Sequence, residues 1–288
     1  MRVASRAWAW LRRNALLIYA VLVVLYMLIP IAVIALFSFG DTPKGKLTFG
    51  LDHGFTTKYW SSAFSLPELN EALLTSLRLA ALATAIATAI GTLMALALVR
   101  HKFRGRRLAN LLIVIPMATP EVVIGASLLS MFIYYTLALG FTTLLIAHVM
   151  FSISFVVVVV RSRLIGFDRH LEEAAADLGA TPLATFRTVT LPLLAPGILA
   201  AALLAFSLSI DDFVISNFNS GTTVTFPLYV YGVSLRGVPV QVNVLATMLF
   251  LLLTIAVTLV LWQQRRAERM AAVRPQPAGR PALAGGTA

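Results

Sequence analysis

Six apolar runs, each near the roughly 20 residues that an α-helix needs to cross a bilayer, recur along this chain and set what it can fold into. They are read at about residues 15–37, 73–99, 108–137, 142–160, 196–216 and 243–262. With 59% hydrophobic and only 12% charged residues, a soluble globular domain is excluded. The absence of cysteine removes any disulfide framework or thiolate metal site. The expected fold class is therefore all-α, a polytopic membrane protein with six transmembrane helices.

The formal charge of +11 follows topology rather than nucleic-acid binding. Eighteen of the 23 Lys and Arg residues fall in segments that six helices with both ends inside would place in the cytoplasm. The clearest is the basic loop 100–107. Only Lys44, Lys46, Lys58 and Arg236 fall outside. The organisation is a cytoplasmic N-tail (1–14), a membrane domain (15–262) and a tail (263–288), basic at first and disordered after about Arg274. Trp8 and Trp10 suit an interfacial anchor. The first apolar run is too long for a signal peptide and reads as a retained helix, kinked or rearranged near Pro30.

Residues 40–46 match GxxxxGK, but Leu47 stands where a phosphate loop needs Ser or Thr, and a membrane helix precedes it. Residues 55–64, with Tyr59 and Trp60, read as an interfacial helix, and 221–242 as a polar connection. The second run is rich in small residues, which permits close packing inside a bundle. Arg78 near its outer end either snorkels or pairs. The third run is interrupted at Pro116 and at Thr119-Pro120-Glu121. A carboxylate at membrane depth costs roughly 2.5–3.5 kcal/mol, so Glu121 either faces a pathway or is paired. His148 reads as a hydrogen-bonded packing residue rather than a ligand. Asp211 and Asp212 are adjacent and cannot face the same way on a helix: one can line a path while the other pairs or caps.

The longest polar interlude between two apolar runs is residues 168–192. Asp168 suits an N-cap, with Glu172 and Glu173 early in the following helix, near the positive end of its dipole. The alanine-rich run favours helix, and Gly179 is a left-handed stop. Thr181 and Pro182 restart the chain as N-cap and first helical residue, and Pro192 limits that second helix. The expected shape is two short helices around a glycine elbow. Ala174 and Ala175 leave a low surface for a partner's groove.

The spacing Glu173-Ala174-Ala175, three residues, Gly179, nine residues, Val189-x-Leu191-Pro192 resembles the cytoplasmic EAA loop of bacterial ABC importer permeases, which carry Ile at the position of Val189. The run from Arg161 to Asp168, the run from Leu208 to Ser216, and residues 227–231 and 242–247 look like the spermidine/putrescine (PotC-type) permeases of that class. The resemblance implies a MetI-like, type I importer permease fold and a transporter subunit rather than an enzyme. It implies a homologous second permease, two ATP-binding cassette subunits and an outer solute-binding protein, all in the bacterial inner membrane or at its faces. ATP and magnesium would bind the partner ATPase, and this chain would hold no cofactor. Glu173, Ala174, Ala175, Gly179, Leu191 and Pro192 would form the coupling surface. For a polycation, Asp211, Asp212 and Glu121 are candidate path carboxylates, and Tyr229 and Tyr231 candidate cation–π partners. Other solutes of the class (an opine, a phosphonate, ferric iron) stay open. A self-sufficient carrier fits hydropathy alone but not the EAA spacing. An intramembrane enzyme would need a partner for His148 at metal or catalytic spacing, which the sequence lacks.

Overall fold

A computed structural model describes residues 2–41 and 54–273, with side chains from Arg13. Its elements are α1 (Arg2–Phe37), α2 (Lys58–Ser61), α3 (Pro67–Arg100), α4 (Arg106–Ala118), α5 (Glu121–Tyr134), α6 (Phe141–Ile165), α7 (His170–Asp177), α8 (Pro182–Thr185), a π-helical turn (Phe186–Thr190), α9 (Leu191–Ile210), α10 (Val214–Asn219), α11 (Phe226–Ser234) and α12 (Val240–Val273). Five helical segments are long and apolar enough to cross a membrane, and α4 with α5 forms a sixth, bent pair. The described chain divides between Met248 and Leu249 into two units. The second unit is the distal part of α12, apolar to Trp262 and then basic, with the Arg266 guanidinium 5.4 Å over the Trp262 ring.

The centre of the first unit is the packing of α3, α6 and α9 on one another. Between lipid-embedded helices there is no hydrophobic drive, so close backbone approach has to hold them. On α3, Ala83, Ala87, Gly91 and Ala95 recur every four residues and are all buried, which puts them on one face. Val156, Val157 and Val160 of α6 and Leu194, Ala201 and Ala205 of α9 fill the opposite side. A second cluster joins Ala63, Leu69, Val242, Val244 and Leu245, and a third joins Leu128 and Phe132 of α5 to Ala147, Phe151 and Ile215.

The third run bends by 110° between α4 and α5, at the Thr119-Pro120-Glu121 interruption that the sequence predicts. Several other expectations are corrected. Pro120 forces Thr119 into extended backbone (φ −86°, ψ 135°) and so ends α4, whereas Pro116 sits inside α4 without breaking it. α1 likewise continues through Pro30. The fifth span runs Pro182–Ile210, starting and stopping earlier than its hydropathy suggests. Pro192 does not limit the second elbow helix. The π turn just before it, with Leu191 N–H donating to the Phe186 carbonyl, widens the helix and absorbs the ring. The interfacial helix shrinks to the single turn α2, whose Trp60 stacks on Phe39 at 5.1 Å. Residues 221–242 are not a plain connection but carry α11, whose apolar side packs in the second cluster. Arg78 is exposed and makes no ion pair among the described residues. The tail after Arg274, most of the GxxxxGK stretch, and the side chains of Trp8 and Trp10 lie outside the described residues.

Candidate functional site

The elbow between α7 and α8 is built from local rules. Gly179 takes φ +84°, its N–H donates to the Ala176 carbonyl at 2.8 Å, and the Ala180 N–H donates to the Ala175 carbonyl at 3.0 Å. This is the Schellman ending, which satisfies the Ala175 and Ala176 carbonyls of the last turn. Thr181 Oγ1 then accepts the Ala184 N–H at 3.3 Å, with Pro182 at the first helical position. At the front end the helix starts one residue later than expected: Arg169 occupies the N-cap, and Asp168 Oδ1 accepts the His170 N–H at 3.0 Å. Boundaries move by such a step readily.

No residue of α7 is buried. Leu178 is 90% exposed beside the elbow and Leu183 66%, two apolar contacts that sequence reasoning passed over. Glu173 points out, with 72% of its side chain exposed. Glu172 points in: its carboxylate Oε1 accepts from Arg100 Nη2 and from Thr190 Oγ1. These groups edge a cleft of about 360 Å³ that also takes in Ala176 and Phe186. Leu191 and Pro192 follow at once, as the first residues of α9. The elbow thus runs without a break into a membrane helix that ends at Ile210.

Just past that end the two aspartates part company. Asp212 is buried, with 5% of its side chain exposed. Its Oδ1 accepts the Ile215 N–H at 3.2 Å and its Oδ2 the Ser216 N–H at 2.8 Å, so it satisfies the free amides that open α10. His148 Nε2 lies 3.5 Å from Oδ2. The same ring reaches Ser209 Oγ at 2.7 Å through Nδ1 and Ser216 Oγ at 3.0 Å through Nε2. His148 is therefore a packing histidine held on both nitrogens. Asp211 is exposed, and Glu121, at the start of α5, is close enough to act on it electrostatically. Phe213 packs on Tyr231 with centroids 4.8 Å apart and the rings tilted by 47°.

Tyr229 belongs to a different place. It lines a cleft of about 400 Å³ with Glu68, Glu71, Thr75 and Thr222. Burial and the Glu68 charge push its phenol above the ordinary value. Glu68 and Glu71 went unremarked in the sequence because they precede the apolar run; only the fold brings them beside α11. Among the described residues no group of three or more His, Cys, Asp or Glu could hold a metal ion.

A bundle of apolar helices with an exposed Schellman elbow running directly into one of them is the architecture of a transporter membrane subunit. The chain belongs to the family described as binding-protein-dependent transport system inner membrane component, whose pattern it matches over residues 87–269. It is a multi-pass inner-membrane permease subunit of an ABC importer, a class that works with a solute-binding protein and an ATPase. It is 40% identical over 229 residues to the spermidine/putrescine transport system permease protein PotC of Escherichia coli K12, covering 79% of this chain and 85% of that one. It is 38% identical over 224 residues to the putrescine transport system permease protein PotI of the same strain, covering 75% and 80%. In fold it resembles a bacterial ABC transporter that imports the acidic polysaccharide alginate, with TM-score 0.60 and 16% identity over 92% of this chain and 99% of that one. An amino acid ABC transporter gives TM-score 0.56 at 20% identity, covering 72% and 98%.

Proposed function

We propose that this chain forms half of the translocation path of a polyamine importer, paired with a homologous permease and driven by two ATPase subunits that dock on the α7–α8 elbow. Both termini lie in the cytoplasm, as the distribution of Lys and Arg supports. ATP and magnesium are held by the ATPase. The observation that carries the substrate class is the identity of about 40% over most of the chain to permeases named for spermidine and putrescine. The exposed Asp211 near Glu121 agrees with it, since a flexible polycation needs carboxylates that it can meet and leave. Asp212 serves by holding the turn that presents Asp211. ATP binding closes the ATPase dimer and moves the elbow. The continuous helix Pro182–Ile210, about 43 Å long at 1.5 Å per residue, carries that movement to Asp211.

The test is uptake of labelled spermidine and putrescine by cells expressing the whole transport system, with and without Gly179→Asp. A Cβ at Gly179 would meet nothing within 4 Å, and the left-handed backbone costs a non-glycine residue only about 1–2 kcal/mol. The variant should fold and assemble, yet lose saturable uptake, because bulk and charge are added where a partner docks. Absence of polyamine uptake by the assembled wild type refutes the substrate class. Wild-type uptake by the variant refutes the coupling role. In the same assay Asp211→Asn is expected to raise the KM for spermidine roughly tenfold or more, the worth of one charged hydrogen bond. An unchanged KM removes Asp211 from the path.

A further inference from the structure

We infer that Glu172 is a coupling strut: a positioning residue that ties the elbow to two membrane helices at once, so that movement of α7 reaches α3 as well as α9. The inference rests on the coupling reading above. Two independent features carry it.

The first is the contact itself. α7 buries none of its residues, so no apolar seal fastens it to the membrane helices. The Glu172 carboxylate supplies the fastening through Arg100 and Thr190. Arg100 is the last residue of α3, and its guanidinium also lies 5.9 Å over the Phe167 ring. Thr190 is fully buried at the junction of the π turn and α9. One oxygen thus joins three elements, and the link to Arg100 is charge-assisted, which makes it short and directional. Glu173, the glutamate of the EAA pattern, has 72% of its side chain exposed, with its Oε2 3.9 Å from the equally outward His170 Nδ1, and so faces a partner. The two adjacent glutamates divide the work, one facing the ATPase and one facing the membrane helices.

The second feature is the π turn at Phe186–Thr190. Single π turns are uncommon and concentrate at functional sites. This one lies where Thr190 meets Glu172, so a shift of α7 acts on the one stretch of the fifth span whose register is already loosened. α3, pulled through Arg100, carries Glu68 and Glu71 at its far end. The strut therefore connects the elbow to both acidic places at once, Asp211 through α9 and the Glu68–Glu71 cleft through α3.

The experiment uses the complete complex in proteoliposomes with its binding protein and spermidine, and reads ATP hydrolysed per spermidine moved. Glu172→Ala is expected to raise that ratio about tenfold, and Thr190→Val, which removes one of the two bonds, about threefold. The exchange of Glu172→Arg with Arg100→Glu is expected to bring the ratio back towards wild type, and the ratio is compared at equal amounts of assembled complex, because a purely structural role changes how much complex forms and not the ATP spent per spermidine. Wild-type ratios in Glu172→Ala and Thr190→Val overturn the strut, while loss of uptake in Gly179→Asp keeps the coupling reading standing. Wild-type uptake in Gly179→Asp overturns the coupling reading itself. If Glu172→Ala does not assemble, Glu172→Gln and Thr190→Val decide, and wild-type ratios in both sink the proposal.

Discussion

Gly91→Leu is expected to abolish the assembled permease, and Gly91→Ala to weaken it by about 1–3 kcal/mol, the usual cost of overpacking a tight core. A Cβ placed on Gly91 would stand 2.6 Å from Val156 Cγ1 and 2.8 Å from Val156 Cβ. The first of these atoms cannot swing away, because a β-branched side chain in a helix keeps one strongly preferred rotamer. The second is fixed to the backbone. The helices must therefore separate, and in lipid no hydrophobic drive pulls them back. The opening would spread along the Ala83–Ala87–Ala95 face, because those residues fill their own places only at the present distance. The measurement is the yield and thermal stability of the purified complex, with Val156→Gly, which removes both clashing atoms, added as the second change. Partial recovery in Gly91→Ala with Val156→Gly identifies the contact, and equal loss in single and double variants rules it out.

His148→Leu is expected to cost about 1–3 kcal/mol, the penalty for leaving buried hydrogen-bonding groups without their partner. Leucine nearly matches the volume but leaves the hydroxyls of Ser209 and Ser216 without the ring nitrogens they now contact. It also leaves Asp212 with its two backbone amides alone. The α9–α10 turn should loosen first, since the carboxylate that opens α10 is the one that loses support. His148→Gln keeps a hydrogen-bonding group and should lose less. The decisive reading is the temperature at which the complex loses its monodisperse profile, compared among wild type, Gln and Leu. Equal stability of all three would show that the network is incidental to the fold.

The elbow was legible because its causes are local. Gly179 tolerates the left-handed backbone that a Schellman ending requires, and Thr181-Pro182 is a helix start wherever it occurs. The division of labour between neighbours was not legible. Glu172 and Glu173 look alike in sequence, and only Arg100, 72 residues away, draws one of them inward. The same holds for Asp211 and Asp212. Their opposition follows from backbone geometry, but which one is buried depends on His148, whose contacts to Ser209 and Ser216 span 61 and 68 residues.

The prolines show the boundary between the two kinds of information. Each reads as a breaker, yet Pro120 breaks a span, Pro116 does not, and Pro192 disappears into a helix widened by a π turn. A proline costs little in the first turn of a helix and several times more in its interior, so where each one falls in its element, with the packing around it, decides whether the helix bends, widens or ends. By itself the sequence determined the membrane class, the apolar crossings, the basic loops between them and the glycine elbow, because hydropathy, charge and backbone preference are properties of short stretches. The tertiary structure alone decided the buried His148–Asp212 network, the cleft that sets Glu68 and Glu71 beside Tyr229, and the Arg100 contact that draws Glu172 inward. Each of these joins residues far apart in the chain, and its energy exists only once the helices have packed.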